Sequence, residues 1–167
     1  ILVGRSGDKR SADRTVAAPS TTTATTTTTT TTTLLDPVGF APLTGLGVDA
    51  EGAIRLLRPA LAAKIDNSPQ AMPQAGLNQA DMVVEIKVEG ISRLLSVTHS
   101  NDVDEIGPVR SARLSDPDIL ALFGRPLFAW SGANDGVIAD VQSHPWIVNV
   151  NWDAVSRSVY RRRSDRP

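Results

Sequence analysis

The sequence predicts a mixed α/β fold, a layered sheet with an antiparallel hairpin and packing helices, and three observations carry that reading. Met82, Val84, Ile86 and Val88 alternate with Asp81, Val83, Glu85, Lys87 and Glu89, the period of two of a strand with one apolar and one polar face. Ser115-Asp116-Pro117-Asp118 reads as a helix start, and Ile119, Leu120, Leu122 and Phe123 follow as its apolar stripe. Strand-like and helix-like segments are interleaved along the chain, which calls for helices against a sheet.

The first 36 residues form no part of that pattern. From Ser20 to Thr33 every residue is threonine except Ser20 and Ala24. Such a run has no apolar surface to bury and cannot offset the entropy of ordering, so residues 1–36 are expected to be a disordered, Thr-rich spacer. Threonine-rich tracts near proline resemble the stalks of exported proteins. Ahead of the run, Ile1-Leu2-Val3-Gly4 is an apolar scrap too short to span a bilayer, and the chain reads as cut at this end. The remainder, 37–167, is of a size for one domain.

After a turn-rich stretch from Leu35 to Gly47, residues 60–66 read as a mostly buried strand that ends in the turn signal Asp66-Asn67-Ser68-Pro69. The alternating strand comes next, with Arg93 to His99 as its hairpin partner. A two-residue loop at Gly90-Ile91 sets Leu95 opposite Ile86 and Val97 opposite Val84, which keeps the apolar face intact. Ser115 is expected to cap the first helix, with early acids facing the positive end of its dipole. Residues 126–132 read as a strand, Asn134 to Gln142 as a second helix, and Trp146 to Trp152 as a last strand.

Composition narrows the function. A net charge of -1 from 17 basic and 18 acidic residues argues against a dedicated nucleic-acid binder. With no cysteine, thiol nucleophiles, thiolate metal sites and a lipid-modified cysteine are absent from this chain. His99 and His144 are the only histidines, which makes a histidine-rich zinc site a poor fit. No metal and no cofactor are expected.

Polar chemistry concentrates between Lys64 and Arg113. Polar groups among strands must be solvated, paired or used on a ligand. Glu85 and Glu89 share one face of a strand with Lys87 between them, but at roughly 13 Å between Cα atoms they are too far apart to flank one scissile bond. His99-Ser100-Asn101-Asp102 offers an imidazole, a hydroxyl and a carboxylate without a nucleophile elbow. Gly107-Pro108-Val109-Arg110-Ser111-Ala112-Arg113 is sharper. If it winds into a helical turn, Arg110 and Arg113 share a face and can hold a carboxylate or phosphate; the alternative is internal pairing with Asp66, Asp104 or Glu105. Trp130, at the end of its strand, is either core or a platform for a sugar.

The ordered motifs 63–70, 76–81, Val88-Glu89-Gly90, Arg93, His99-Ser100, 104–113 and 124–132 together resemble the N-terminal domain of the YerB-like lipoproteins, a domain of unknown function. The resemblance runs from about Leu43 to the end and implies an exported, often lipid-anchored bacterial protein with a mixed α/β layered fold. It implies no known activity. It also leads one to expect an arginine where Met72 stands, a second glycine near Gly90, and a domain that continues past Pro167.

The expected function is that of a membrane-tethered module of the cell envelope, outside the cytoplasm, that binds an anionic or glycan ligand through Lys64, Asp66, Asn67, Glu105, Arg110, Arg113 and Trp130. No nucleic-acid partner is expected, and contact with the membrane only through an N-terminal anchor missing from this chain. Two alternatives stand beside it: a wall-directed hydrolase using Glu85, Glu89, Asp104, Glu105 or His99, and a protein-interaction domain with an exposed apolar patch.

Overall fold

A computed structural model describes residues 36–88, 90–155 and 159–162. Except for Asp36, the expected spacer lies outside the described residues, as does Glu89.

Two short strands, β1 (Gly39–Phe40) and β2 (Gly47–Val48), form an antiparallel pair. Helix α1 (Ala50–Arg55) follows, and the Asp49 carboxylate caps it by accepting the Gly52 N–H at 2.8 Å. The signals for α1 are ordinary ones, Asp49 before it, Glu51 in its first turn and Arg55 in its last, yet the sequence reading passed over the segment.

The main sheet contains β3 (Leu61–Asp66), β4 (Met82–Val88), β5 (Ile91–Thr98), β6 (Leu127–Ala129) and β7 (Val148–Asn149), in the spatial order β4-β5-β3-β6-β7. Only β5 runs against the others, so the carboxyl ends of β4, β3, β6 and β7 lie along one edge of the sheet. Helices α2 (Asp116–Leu120) and α3 (Asp135–Ser143) bring Leu120, Val137 and Val141 onto one face, where they bury Ala62, Leu95, Val97, Phe128 and Trp130. The opposite face, around Ala63, Ile65 and Ala129, is packed by Leu77, Ile106, Val109, Val150 and Tyr160, none of them in an α-helix.

Strands β3 and β6 pair over residues 61–63 and 127–129 and then part. Residues 108–112 fill the gap. Arg110 donates its N–H to the Lys64 carbonyl at 2.8 Å, and its own carbonyl accepts the Ser131 N–H at 2.9 Å. Asp66 N–H donates to Pro108 O at 2.9 Å, and Ala112 N–H to Gly132 O at 3.2 Å. The segment is therefore extended, and the helical turn that would set Arg110 and Arg113 on one face does not form. The backbone groups of two diverging strands need partners, and an extended segment between them supplies partners on both sides.

Two other expectations change. Val88 pairs with Ile91 where a loop at Gly90-Ile91 was expected, so Leu95 lies opposite Val84 and Val97 opposite Met82. Gly90 takes a φ of 87°, a conformation open to glycine, and because the register moves by two residues the same side chains still face the core. At α2, Ser115 has helical backbone angles and its hydroxyl caps nothing; Asp116, one residue on, accepts the Arg113 N–H at 2.8 Å.

Gly76 is a fixed point of the loop between β3 and β4. Its φ is 80°, and an added Cβ would lie 2.6 Å from the Glu105 carbonyl oxygen, close to where Ala75 and Gly107 bridge. Gly76→Ala should thus destabilise the domain by about 1–3 kcal/mol through backbone strain and displacement of the 105–107 segment, measured as a lower urea midpoint at unchanged slope.

Candidate functional site

Lys64 and Asp66 stand on the same face of β3 as Ala62, at the level where β3 and β6 diverge, and neither can be left unpaired there. The Lys64 ammonium is completely buried and meets Asp116 Oδ1 at 2.5 Å, itself completely buried. Burial pulls the Lys64 pKa below its ordinary value; Asp116 opposes that shift, and Arg113 and Arg93 add to it.

Asp66 is the hub of a second set. Arg93, directly across on β5, donates Nη1 to Oδ1 at 2.6 Å, and Arg110 donates Nε to Oδ2 at 2.8 Å. The Ser68 N–H adds a bond to Oδ1 at 3.1 Å. Burial alone would raise the carboxyl pKa, but the Ser68 hydrogen bond, Arg110 and Arg93 together hold it below its ordinary value. Arg110 is still half exposed, whereas Arg93 is almost wholly covered. Asn67 extends the set by donating to Ser92 Oγ at 2.8 Å and accepting from Gln74 Nε2 at 3.1 Å.

A hollow of about 510 Å³ opens at the carboxyl ends of the strands, lined by Val88, Arg113, Leu114, Ser115, Asn134 and Val137. Arg113 reaches it from the end of the inserted segment, and its Nη1 donates to the Ala112 carbonyl at 3.0 Å. Asn134 caps α3 by accepting the Val137 N–H at 2.9 Å. A second hollow of about 440 Å³ lies elsewhere, lined mainly by apolar side chains such as Leu43, Leu57 and Phe123, with Arg58, His99 and Arg125.

Of the residues singled out from sequence, Lys64, Asp66 and Arg110 come together through shared ion pairs and strand bonds. Arg113 adjoins them, and it alone of the seven lines the larger hollow. Trp130 is completely buried, stacked near Phe128, with its indole N–H donating to Asn149 Oδ1 at 3.1 Å. Glu105 stands apart and pairs with Arg161 at 2.8 Å. The carboxylates considered for hydrolysis do not converge: Glu85 lies on the edge strand β4, and neither hollow is lined by Glu85, Asp104 or Glu105. His99 bonds the Arg58 carbonyl through Nε2 at 2.9 Å, and the Ser100 hydroxyl donates to Asp81. Among the described residues, no cluster of three His, Cys, Asp or Glu side chains is placed to hold a metal ion.

Residues 43–167 match the family described as "Protein of unknown function (DUF3048) N-terminal domain". The chain belongs to this family. A relative, "Putative lipoprotein YerB" of Bacillus subtilis, is 46% identical over 74 residues, which cover 44% of this chain and 22% of the relative. The crystal structure of YerB protein from Bacillus subtilis superposes with a TM-score of 0.59 at 33% identity, covering 67% of this chain and 37% of that one. The chain thus spans well under half of the relatives it matches.

Asp116 and Arg93, the partners that make the site, went unassigned in the sequence reading. A lysine in an otherwise apolar strand demands a buried acid, and an acid at the start of a helix can supply one, so this signal was present for Asp116. For Arg93 the signal was its position in the hairpin, which became informative only with β3 placed beside β5.

Removing one partner of a buried pair leaves a bare charge. Asp116→Asn should cost about 3–5 kcal/mol in equilibrium unfolding, while Lys64→Met combined with Asp116→Asn costs markedly less, since asparagine still accepts the Arg113 N–H. Asp66 titrates lower when folded than unfolded, so its stabilisation is complete above the unfolded value, near 3.8, and is lost as pH falls through the folded one. Asp66→Asn should therefore lower stability at neutral pH and flatten its decline below about pH 4, followed by urea titrations across that range.

Proposed function

We propose that this DUF3048 domain is a binding module of the bacterial cell envelope that holds an anionic or glycan ligand in the hollow at the carboxyl edge of its sheet. The observation that carries the reading is Arg113, a guanidinium lining an open, part-apolar hollow where strand ends, a helix cap and a hydroxyl converge. Open sheets place ligands at this edge, where one cation and a few polar groups fix orientation while apolar neighbours supply contact area. Arg113 and Ser115 would take the charged or hydroxyl-bearing part of the ligand, and Val88, Leu114 and Val137 its carbon skeleton. Arg110, half exposed beside Asp66, would add charge at the rim.

A location outside the cytoplasm draws on two supports: the Thr-rich run of residues 20–33 and the name of the Bacillus relative, a putative lipoprotein. In this reading the spacer holds the domain away from a membrane anchor so that it reaches wall-linked material.

Binding rather than hydrolysis is favoured because neither hollow is lined by a carboxylate and, of the acids considered for hydrolysis, Glu105 is taken up by Arg161. Asp66, held below its ordinary pKa by the Ser68 N–H, Arg110 and Arg93, and Asp102, held below its own by Arg58 and Arg55, suit a scaffold more than acid or base catalysis. Calorimetric titration with soluble wall glycopeptides and teichoic-acid fragments should show saturable binding that Arg113→Ala weakens at least about tenfold, the loss of one charge-assisted contact. Equal affinity of wild type and Arg113→Ala for every fragment would overturn the proposal.

A further inference from the structure

Strand β4 ends the sheet and is seven residues long, while the opposite edge strand has two. A long edge presents unpaired backbone groups and is a template for another strand. Which groups are free follows from the hairpin. Val88 and Ile91 close a two-residue loop and so form a hydrogen-bonded pair. By alternation Met82, Val84, Ile86 and Val88 turn their N–H and C=O toward β5, and Val83, Glu85 and Lys87 turn theirs outward. The side chains of Glu85 and Lys87 are exposed, and Val83 is 43% exposed. On the other face Val84 and Ile86 are only partly buried, at the open end of the main core.

The pattern Val84-Glu85-Ile86-Lys87-Val88 is self-complementary in one antiparallel register. We infer that β4 is a homodimer seam, pairing with β4 of a second copy about a two-fold axis at Ile86, so that Glu85 of each copy faces Lys87 of the other. The register uses only outward backbone groups, since Glu85 and Lys87 become the hydrogen-bonded pairs. It sets Val84 of one copy against Val88 of the other and Ile86 against itself, which extends the apolar row along one continuous sheet and closes the open end of each core. Neighbouring registers fail on charge or on face. A two-fold at Glu85 opposes Glu85 with itself, and one at Lys87 opposes Lys87 with itself. One between two residues puts core side chains on the wrong side of the sheet. The seam also brings Val84 of the second copy against Val88, a residue of the hollow at the carboxyl edge.

Sedimentation equilibrium of the whole chain over a range of concentrations tests the seam. Wild type should self-associate to a dimer. Lys87→Glu, which opposes carboxylates twice across the axis, should weaken the dimer at least about tenfold, as should Glu85→Lys, and the double variant Glu85→Lys/Lys87→Glu should recover wild-type association because both pairs are restored in reverse. Both side chains are exposed, so circular dichroism should show all three variants folded. A chain that stays monomeric throughout, or a dimer that either single variant leaves unchanged or the double variant fails to restore, would overturn the inference.

Discussion

The structure depends on how two ionised side chains are accommodated on the central strand. Lys64 and Asp66 follow one another on the helix-covered face of β3, in a position that elsewhere in the sheet holds alanine, leucine or phenylalanine. A charge there can persist only with a counter-charge and hydrogen bonds, and the counter-charges come from three different parts of the chain: Asp116 from the start of α2, Arg93 from β5 and Arg110 from the inserted segment. Those pairings tie helix, hairpin and insert to the same strand and fix the level at which each meets it. An apolar core alone is indifferent to small slips; matched charges are not.

The same arrangement explains why the carboxyl edge carries a hollow. Once residues 108–112 have satisfied the backbone of both β3 and β6, the chain leaves the sheet at Arg113 and turns into α2, and the chain leaving β6 turns at Gly132 into α3. Two chains departing from adjacent strands cannot fill the space between them. What lines that space is therefore set by the first residues after each departure, Leu114 and Ser115 on one side, Asn134 and Val137 on the other.

How much of this was legible in the sequence depends on the range of the interaction. Period-two alternation placed β4, and the Asp66-Asn67-Ser68-Pro69 turn ended β3 where expected, because strand faces and turns are local chemistry. The hairpin register came out two residues away: both loops keep the apolar face inward, so the alternation of apolar and polar residues does not choose between them. Likewise the sequence left open whether the Gly107–Arg113 segment winds into a helical turn, and it is extended because of strands distant in the chain, β3 before it and β6 after it. Within the candidate site, Arg110 and Asp66 were readable as an ion pair in waiting, and Trp130 as either core or platform; its depth followed only from the helices stacked above it.

One consequence concerns the nascent chain. Until residues 108–110 have been made, the Lys64–Asp66 half of β3 has no neighbour on its β6 side, and the Leu61–Ala63 half waits for Leu127–Ala129, so the strand spends that interval as an open sheet margin. Ionised side chains on such a margin discourage annexation by other polypeptides. Lys64 and Asp66, awkward to house in the finished molecule, thus serve as gatekeepers of the unfinished one, which suits a protein whose last partners for that strand are synthesised late.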